Sequence, residues 1–194
     1  MFNIIAVTNR KLCHIDILEQ IEALAKSEVD SIILREKDLS EEEYYVLAKS
    51  VLRICEKYNK ECVIHNFVGV AKKLNHNKIH LSLPMLEKYH NEVKNFEKVG
   101  VSIHSLEEAE RAVTLGVTYL TAGHIFKTDC KKHLEPRGLA FLENICRGVG
   151  VPVYAIGGIS KDNINLVKET GAKGACLMSS LMKAGANELK GNIY

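Results

Sequence analysis

The chain has 194 residues, 46% of them hydrophobic and 26% charged, with no Trp and only 3 Pro, the make-up of a globular protein and not of a disordered or fibrous one. Its formal net charge is +2, and the positive residues are spread along the chain. That excludes a duplex-binding stripe or a membrane-facing basic helix, so neither nucleic acid nor membrane is expected as a partner.

The first residues, Met1 to Asn3, lead directly into the strand-like run IIAVT. With no charged leader and no long apolar span, a cytoplasmic location is expected. Further strands are expected at 31–35 (SIILR), 62–65 (CVIH), 78–81 (KIHL), 98–103 (KVGVSI), 118–123 (TYLTAG), 151–157 (VPVYAIG) and 174–178 (GACLM), after a first at 3–8. Helical periods fill the gaps. In the clearest, Tyr44, Leu47, Ala48, Val51, Leu52 and Cys55 share one face, Ser40 and Glu43 form a capping box, and Leu39 is placed to staple onto Tyr44. Ser105 and Glu108 repeat the box ahead of Leu106, Ala109 and Val113. The remaining cysteines, Cys13, Cys62, Cys130, Cys146 and Cys176, form no C-x-x-C pair with Cys55 or one another. They read as buried thiols, without a zinc site or disulfide framework.

Eight apolar strands alternating with helices imply a parallel sheet covered by helices, and eight units favour closure into a (β/α)8 TIM barrel, one compact domain over 1–194. The units average about 24 residues, lean beside the ~250 residues typical of such barrels, so most loops must be short. Little chain follows Ser180, so either the eighth helix is short or the barrel is partly open there. The connection TAGHIFKTDCKKHLEPRG, from Thr121 to Gly138, is the long exception.

Active sites of these barrels lie at the carboxyl ends of the strands. There, Gly157 and Gly158 after strand seven, with Ser179 and Ser180 opening the last helix, match a phosphate site built from free N–H groups; the alternative is a tight turn and a helix cap. Arg35 and Lys37 flank Glu36 on an extended segment, so both face the barrel mouth if Arg35 points inward; otherwise they are solvated charges. His65, His80 and His104 close three successive strands, and without paired carboxylates they read as hydrogen-bonded groups and not as metal ligands. His124 falls just past strand six, where its imidazole would overhang the mouth beside Lys127, Lys131 and Lys132.

These segments, LREKDLS, VSIHSLEEA, GHIFKTDCKKHLEPRGL, AIGGI and LMSSL, resemble the thiamine phosphate synthase/TenI family over nearly the whole chain and in its order. The resemblance implies a thiazole phosphate pocket lined by Thr128, Cys130, Lys131, Gly158, Met178 and Ser179. It also implies that synthases, which join a pyrimidine pyrophosphate to a thiazole phosphate, use a Gln before L-R-x-K, an Asn-Asp pair after strand three and an Asp after strand four, with Mg2+ on the acids. Ile33, His65 with Asn66, and Met85 stand at those positions, so both carboxylates are missing. The G-P-I-F of synthases is G-H-I-F here, which resembles the TenI branch.

The resulting expectation is an isomerase, a thiazole tautomerase that aromatises a carboxylated thiazole phosphate without metal or cofactor. His124 would act as base and then acid. Arg35, Lys37 and His104 are the candidates for the substrate carboxylate. Cys130 reads as an apolar replacement for the synthases' Thr, ahead of a proton donor. The resemblance also implies a homodimer. The competing expectations are a thiamine phosphate synthase and a non-catalytic, phosphate-binding regulatory homologue.

Overall fold

The computed structural model describes residues 1–128, 134–184 and 189. Eight parallel strands close a barrel in sequence order: β1 (Asn3–Val7), β2 (Ser31–Leu34), β3 (Glu61–His65), β4 (Lys78–Ser82), β5 (Lys98–Ile103), β6 (Tyr119–Gly123), β7 (Val153–Ile156) and β8 (Gly174–Leu177). Helices α1 (Ile17–Lys26), α2 (Glu41–Lys57), α3 (Val68–Lys73), α4 (Leu83–Val93), α5 (Leu106–Thr114), α6 (Gly138–Gly148), α7 (Ile164–Glu169) and α8 (Ser179–Lys183) follow the strands in turn. The last helix is short, and the barrel is closed despite it, because β8 pairs with β1 from Asn3↔Gly174 to Ala6↔Leu177.

Strand parity divides the apolar residues into two cores. Ile5, Val7, Ile33, Val63, Tyr119, Tyr154 and Cys176 fill the barrel interior. Their neighbours, such as Ala6, Ile32, Leu34, Cys62 and Ile64, pack outward against the helices. Tyr119 lies across the interior, and a side chain at Gly100 on the neighbouring strand would collide with its ring. Below it, Glu61 pairs with Lys98 at 2.5 Å and Lys78 at 3.2 Å, closing the amino-terminal end of the barrel. Cys55, Cys62 and Cys176 are buried free thiols, Cys13 and Cys146 are half-buried, and Cys130 lies outside the described residues.

At the start of α2, Ser40 and Glu43 form the expected capping box. The second box differs. Ser105 accepts from the Glu108 N–H at 3.1 Å, but the Glu108 carboxylate reaches one residue further back and accepts the His104 N–H at 2.5 Å. The helix is capped all the same, and the box's second bond fixes the backbone of a residue at the barrel mouth.

Candidate active site

The carboxyl ends of the strands surround a cavity of about 520 Å³. Because Ile33 points into the barrel, parity carries Arg35 and Lys37 to the same side, and both line the cavity. His104, His124, Thr128, Gly157, Gly158, Met178, Ser179 and Ser180 line it too. Lys131, like Cys130, lies outside the described residues.

The cavity floor is polar and uncharged. His80 is buried, with Nδ1 3.0 Å from the Tyr119 hydroxyl and Nε2 2.8 Å from Ser102 Oγ, and Thr121 donates to Ser102 at 3.1 Å. Burial, seconded by the Arg35 charge, pushes the His80 pKa down to about 3. His65, its ring 5.8 Å from that of His80, is held well below the ordinary value by burial and by the charges of His80, Arg35 and Lys37. Both imidazoles are neutral near pH 7, and the His80 ring is hydrogen-bonded through both nitrogens.

One wall is built largely of backbone. Gly157 and Gly158 have φ of 102° and 67°, the left-handed region that suits glycine. A side chain on Gly157 would fall on the His124 side chain, and one on Gly158 on the carbonyls of Phe126 and Lys127. The two glycines therefore let the β7–α7 turn press against the β6–α6 segment. Hydrogen bonds continue that contact, from the Ile125 N–H to the Ile156 carbonyl and from the Phe126 N–H to the Gly157 carbonyl, each at 3.0 Å. Asn163 fixes the turn from outside, donating to the Gly158 carbonyl at 2.9 Å and accepting the Ser160 N–H at 2.8 Å. At the adjacent strand end, Met178 and not Ser179 occupies the cap position of α8, with no side-chain cap, so Ser179 and Ser180 fall within its first turn.

His124 is 5% exposed and follows a cis peptide from Gly123. Its Nε2 lies 3.2 Å from the Leu134 carbonyl, an acceptor only, so Nε2 carries the proton and donates it there. The Arg137 N–H returns a bond to the His124 carbonyl at 2.9 Å. His124 thus ties the returning end of the long loop to the barrel. His104 donates Nδ1–H to the Gly123 carbonyl at 2.7 Å.

Several supporting groups escape a reading of the sequence by period. Tyr44 sits on the apolar face of α2, yet its hydroxyl donates to the Leu34 carbonyl at 2.5 Å and accepts the His65 N–H at 3.1 Å, bridging the ends of β2 and β3. Burial raises the pKa of that hydroxyl, keeping it protonated as a donor. Tyr44→Phe is expected to strand two buried backbone groups and lower stability by about 1–3 kcal/mol. Urea denaturation checks this, and an unchanged midpoint would show that the bridge contributes nothing.

The positions that the resemblance gives to a magnesium ion do not fit one. Asn66, after β3, uses its Oδ1 to accept the Ser82 N–H at 3.0 Å. Ser82, Leu83 and Pro84 form the wall after β4, where a carboxylate would be needed. Glu108, the acid among the described lining residues, is engaged by the His104 N–H. Among the described residues no three His, Cys, Asp or Glu side chains are grouped to hold a metal.

With this geometry in hand, comparison with known proteins decides the family. The thiamine monophosphate synthase family model matches residues 4–181. The chain belongs to this family. Within the family, a thiamine-phosphate synthase of Clostridium acetobutylicum is 34% identical over 188 residues, covering 94% of this chain and 88% of the relative. One from Fusobacterium nucleatum is 32% identical over 180 residues, covering 91% and 87%. The solved thiamine phosphate pyrophosphorylase of Pyrococcus furiosus superimposes with a TM-score of 0.82 at 27% identity, covering 97% of this chain and 91% of its own.

These similarities overturn the expectation of an isomerase. The relatives that align along most of the chain are named as synthases, which are transferases, whereas the tautomerase expectation rested on His124 and on the absent carboxylates. At His124 the structure shows one bond of the ring, from Nε2 to the Leu134 carbonyl. The proton transfer expected of His124 belongs to that isomerase reading. Among the described residues no helix is long and apolar enough to cross a membrane.

Proposed function

We propose that the protein is a transferase of the thiamine-phosphate synthase kind, joining a pyrimidine pyrophosphate to a thiazole phosphate with release of pyrophosphate. The observation that carries this reading is a single cavity with two separate anion-recognising edges, Gly157, Gly158, Ser179 and Ser180 on one side and Arg35 with Lys37 on the other, β1 lying between them. Two phosphorylated substrates need two such edges, and the chain is 31–35% identical to proteins named for that reaction.

In this reading the glycine turn and the first turn of α8 hold the thiazole phosphate, with Thr128 and Met178 beside it; Cys130 and Lys131, which the family resemblance adds to this pocket, lie outside the described residues. Arg35 and Lys37, with His104 nearby, hold the pyrophosphate and offset the charge it gains on leaving. The neutral floor of His80 and Ser102 suits a nitrogen-bearing ring better than a third anion, because it offers hydrogen bonds without charge. His124 anchors Leu134 and Arg137 at the edge of the cavity. No step is assigned to a divalent ion. The homodimer and the cytoplasmic location are part of the proposal through family membership alone.

The missing carboxylates favour a second reading, a homologue that binds the phosphate ester and does not condense it. One assay separates them. Purified protein mixed with the pyrimidine pyrophosphate and the thiazole phosphate should release pyrophosphate and form thiamine phosphate. Binding of the thiazole phosphate without pyrophosphate release would leave the non-catalytic reading standing and sink the transferase.

A further inference from the structure

Glu36 is the part of the L-R-E-K run that the reaction just described does not use. Arg35 and Lys37 line the cavity and Glu36 does not; it is 2% exposed and turned to the other side of the extended segment. Its partners come from the end of β1, 26 to 28 residues away in sequence. Thr8 donates its hydroxyl to Oε1 at 2.7 Å, the Arg10 N–H is shared by both carboxylate oxygens at 3.0 and 3.1 Å, and the Arg10 guanidinium donates to Oε2 at 3.1 Å. The same guanidinium grips both oxygens of Asp38, at 2.6 and 2.9 Å. Thr8 closes the circuit, because its Oγ1 also accepts the Arg35 N–H at 2.8 Å. One hydroxyl therefore joins the backbone of a cavity cation to the carboxylate beside it, and Arg10 locks the residues on both sides of Lys37.

We propose that Glu36 is a positioning residue: clamped by Thr8 and Arg10, it holds the segment that presents Arg35 and Lys37 to an anionic substrate. This rests on reading the cavity as a site for phosphorylated ligands. An ion pair kept only for stability would also be well bonded, but two features point beyond that role. The strut is built on the two residues that alternate with the cavity cations, Glu36 and Asp38, and one of its bonds ends on the backbone of Arg35 itself. A fixed extended segment lets both cations meet an anion without first being ordered, which is how preorganisation raises affinity.

The sign of the effect tests it. Through space, removing the negative charge of Glu36 beside two cations should tighten the binding of an anion. Positioning predicts weakening. Titration calorimetry of the intact protein with inorganic pyrophosphate, repeated at two salt concentrations, is the measurement. Glu36→Gln should bind pyrophosphate roughly tenfold more weakly, the equivalent of one charge-assisted hydrogen bond. Its salt dependence should stay that of the wild type, because both cations remain, whereas Arg35→Ala should lose affinity and salt dependence together. Thr8→Val should behave as Glu36→Gln does, and Thr8→Ser, which keeps the hydroxyl, should return affinity to within about twofold of wild type. If Glu36→Gln fails to fold, the contrast between Thr8→Val and Thr8→Ser decides the matter alone. Equal or tighter binding by Glu36→Gln, beside a wild type that binds, overturns the strut and leaves the substrate reading intact. Absence of binding by the wild type overturns both.

Discussion

Replacing Arg35 with Ala is expected to lower kcat/KM for the condensation by roughly 10²–10³-fold, the cost typical of deleting one preorganised donor aimed at developing negative charge. The side chain follows inward-facing Ile33 and lines the cavity, and its backbone N–H is fixed by Thr8 at 2.8 Å. Pyrophosphate carries more charge as it leaves than while it is esterified, so an arginine on it stabilises the transition state beyond the ground state, and the loss should fall mainly on kcat. Lysine at the same position keeps the charge but not the planar fork, and should recover only part of the rate. Steady-state measurement of pyrophosphate release reads both. A variant losing less than about threefold would remove Arg35 from the reaction.

The second large effect is in stability against pH. His80 has its pKa pushed from 6.5 down to about 3 by burial and by Arg35. In the unfolded chain the imidazole takes up a proton as the pH falls through about 6.5, while the folded chain refuses it until about pH 3. The contribution is therefore complete above pH 6.5 and is lost progressively as pH falls between 6.5 and 3, at up to about 1.4 kcal/mol for each pH unit crossed. The wild type should lose several kcal/mol by this route on acidification. His80→Gln removes the titration and keeps an amide for Tyr119 and Ser102. The gap in unfolding free energy between wild type and His80→Gln should narrow by a few kcal/mol from pH 7 to pH 4, the carboxylates being common to both and the smaller repulsion on His65 in the variant acting in the same direction. Chemical denaturation at the two pH values measures it, and a gap that stays constant would show that His80 is not held neutral by the fold.

Much of the architecture follows from pattern alone. Short apolar runs at regular spacing set out all eight strands to within two residues at either end, and the alternation through Ile33, Arg35 and Lys37 already put both cations on one side of the chain. What escapes pattern is the partner across the fold. Glu36 is an ordinary acid in the sequence, and only closing the barrel brings Thr8 and Arg10 against it from β1. Tyr44 is apolar by period, while its hydroxyl acts across two strand ends. Ser105 caps its helix as its spacing suggests, but Glu108 bonds a residue earlier because the β5 exit passes within its reach. His124 lines the cavity as its place after β6 suggests, but its bonding partner, the Leu134 carbonyl, is set by how the loop returns and has no signal in the spacing.

The ion-pair layer of Glu61, Lys78 and Lys98 beneath Tyr119 makes the barrel a blind tunnel. With the far end stoppered, reactants and products share one doorway. Under the proposed transferase reading, a ring seated against His80 would enter before the co-substrate that covers it, and the product would leave after the outer anion. On that reading an ordered addition and release would follow from the single doorway, requiring no communication between the two ends of the cavity.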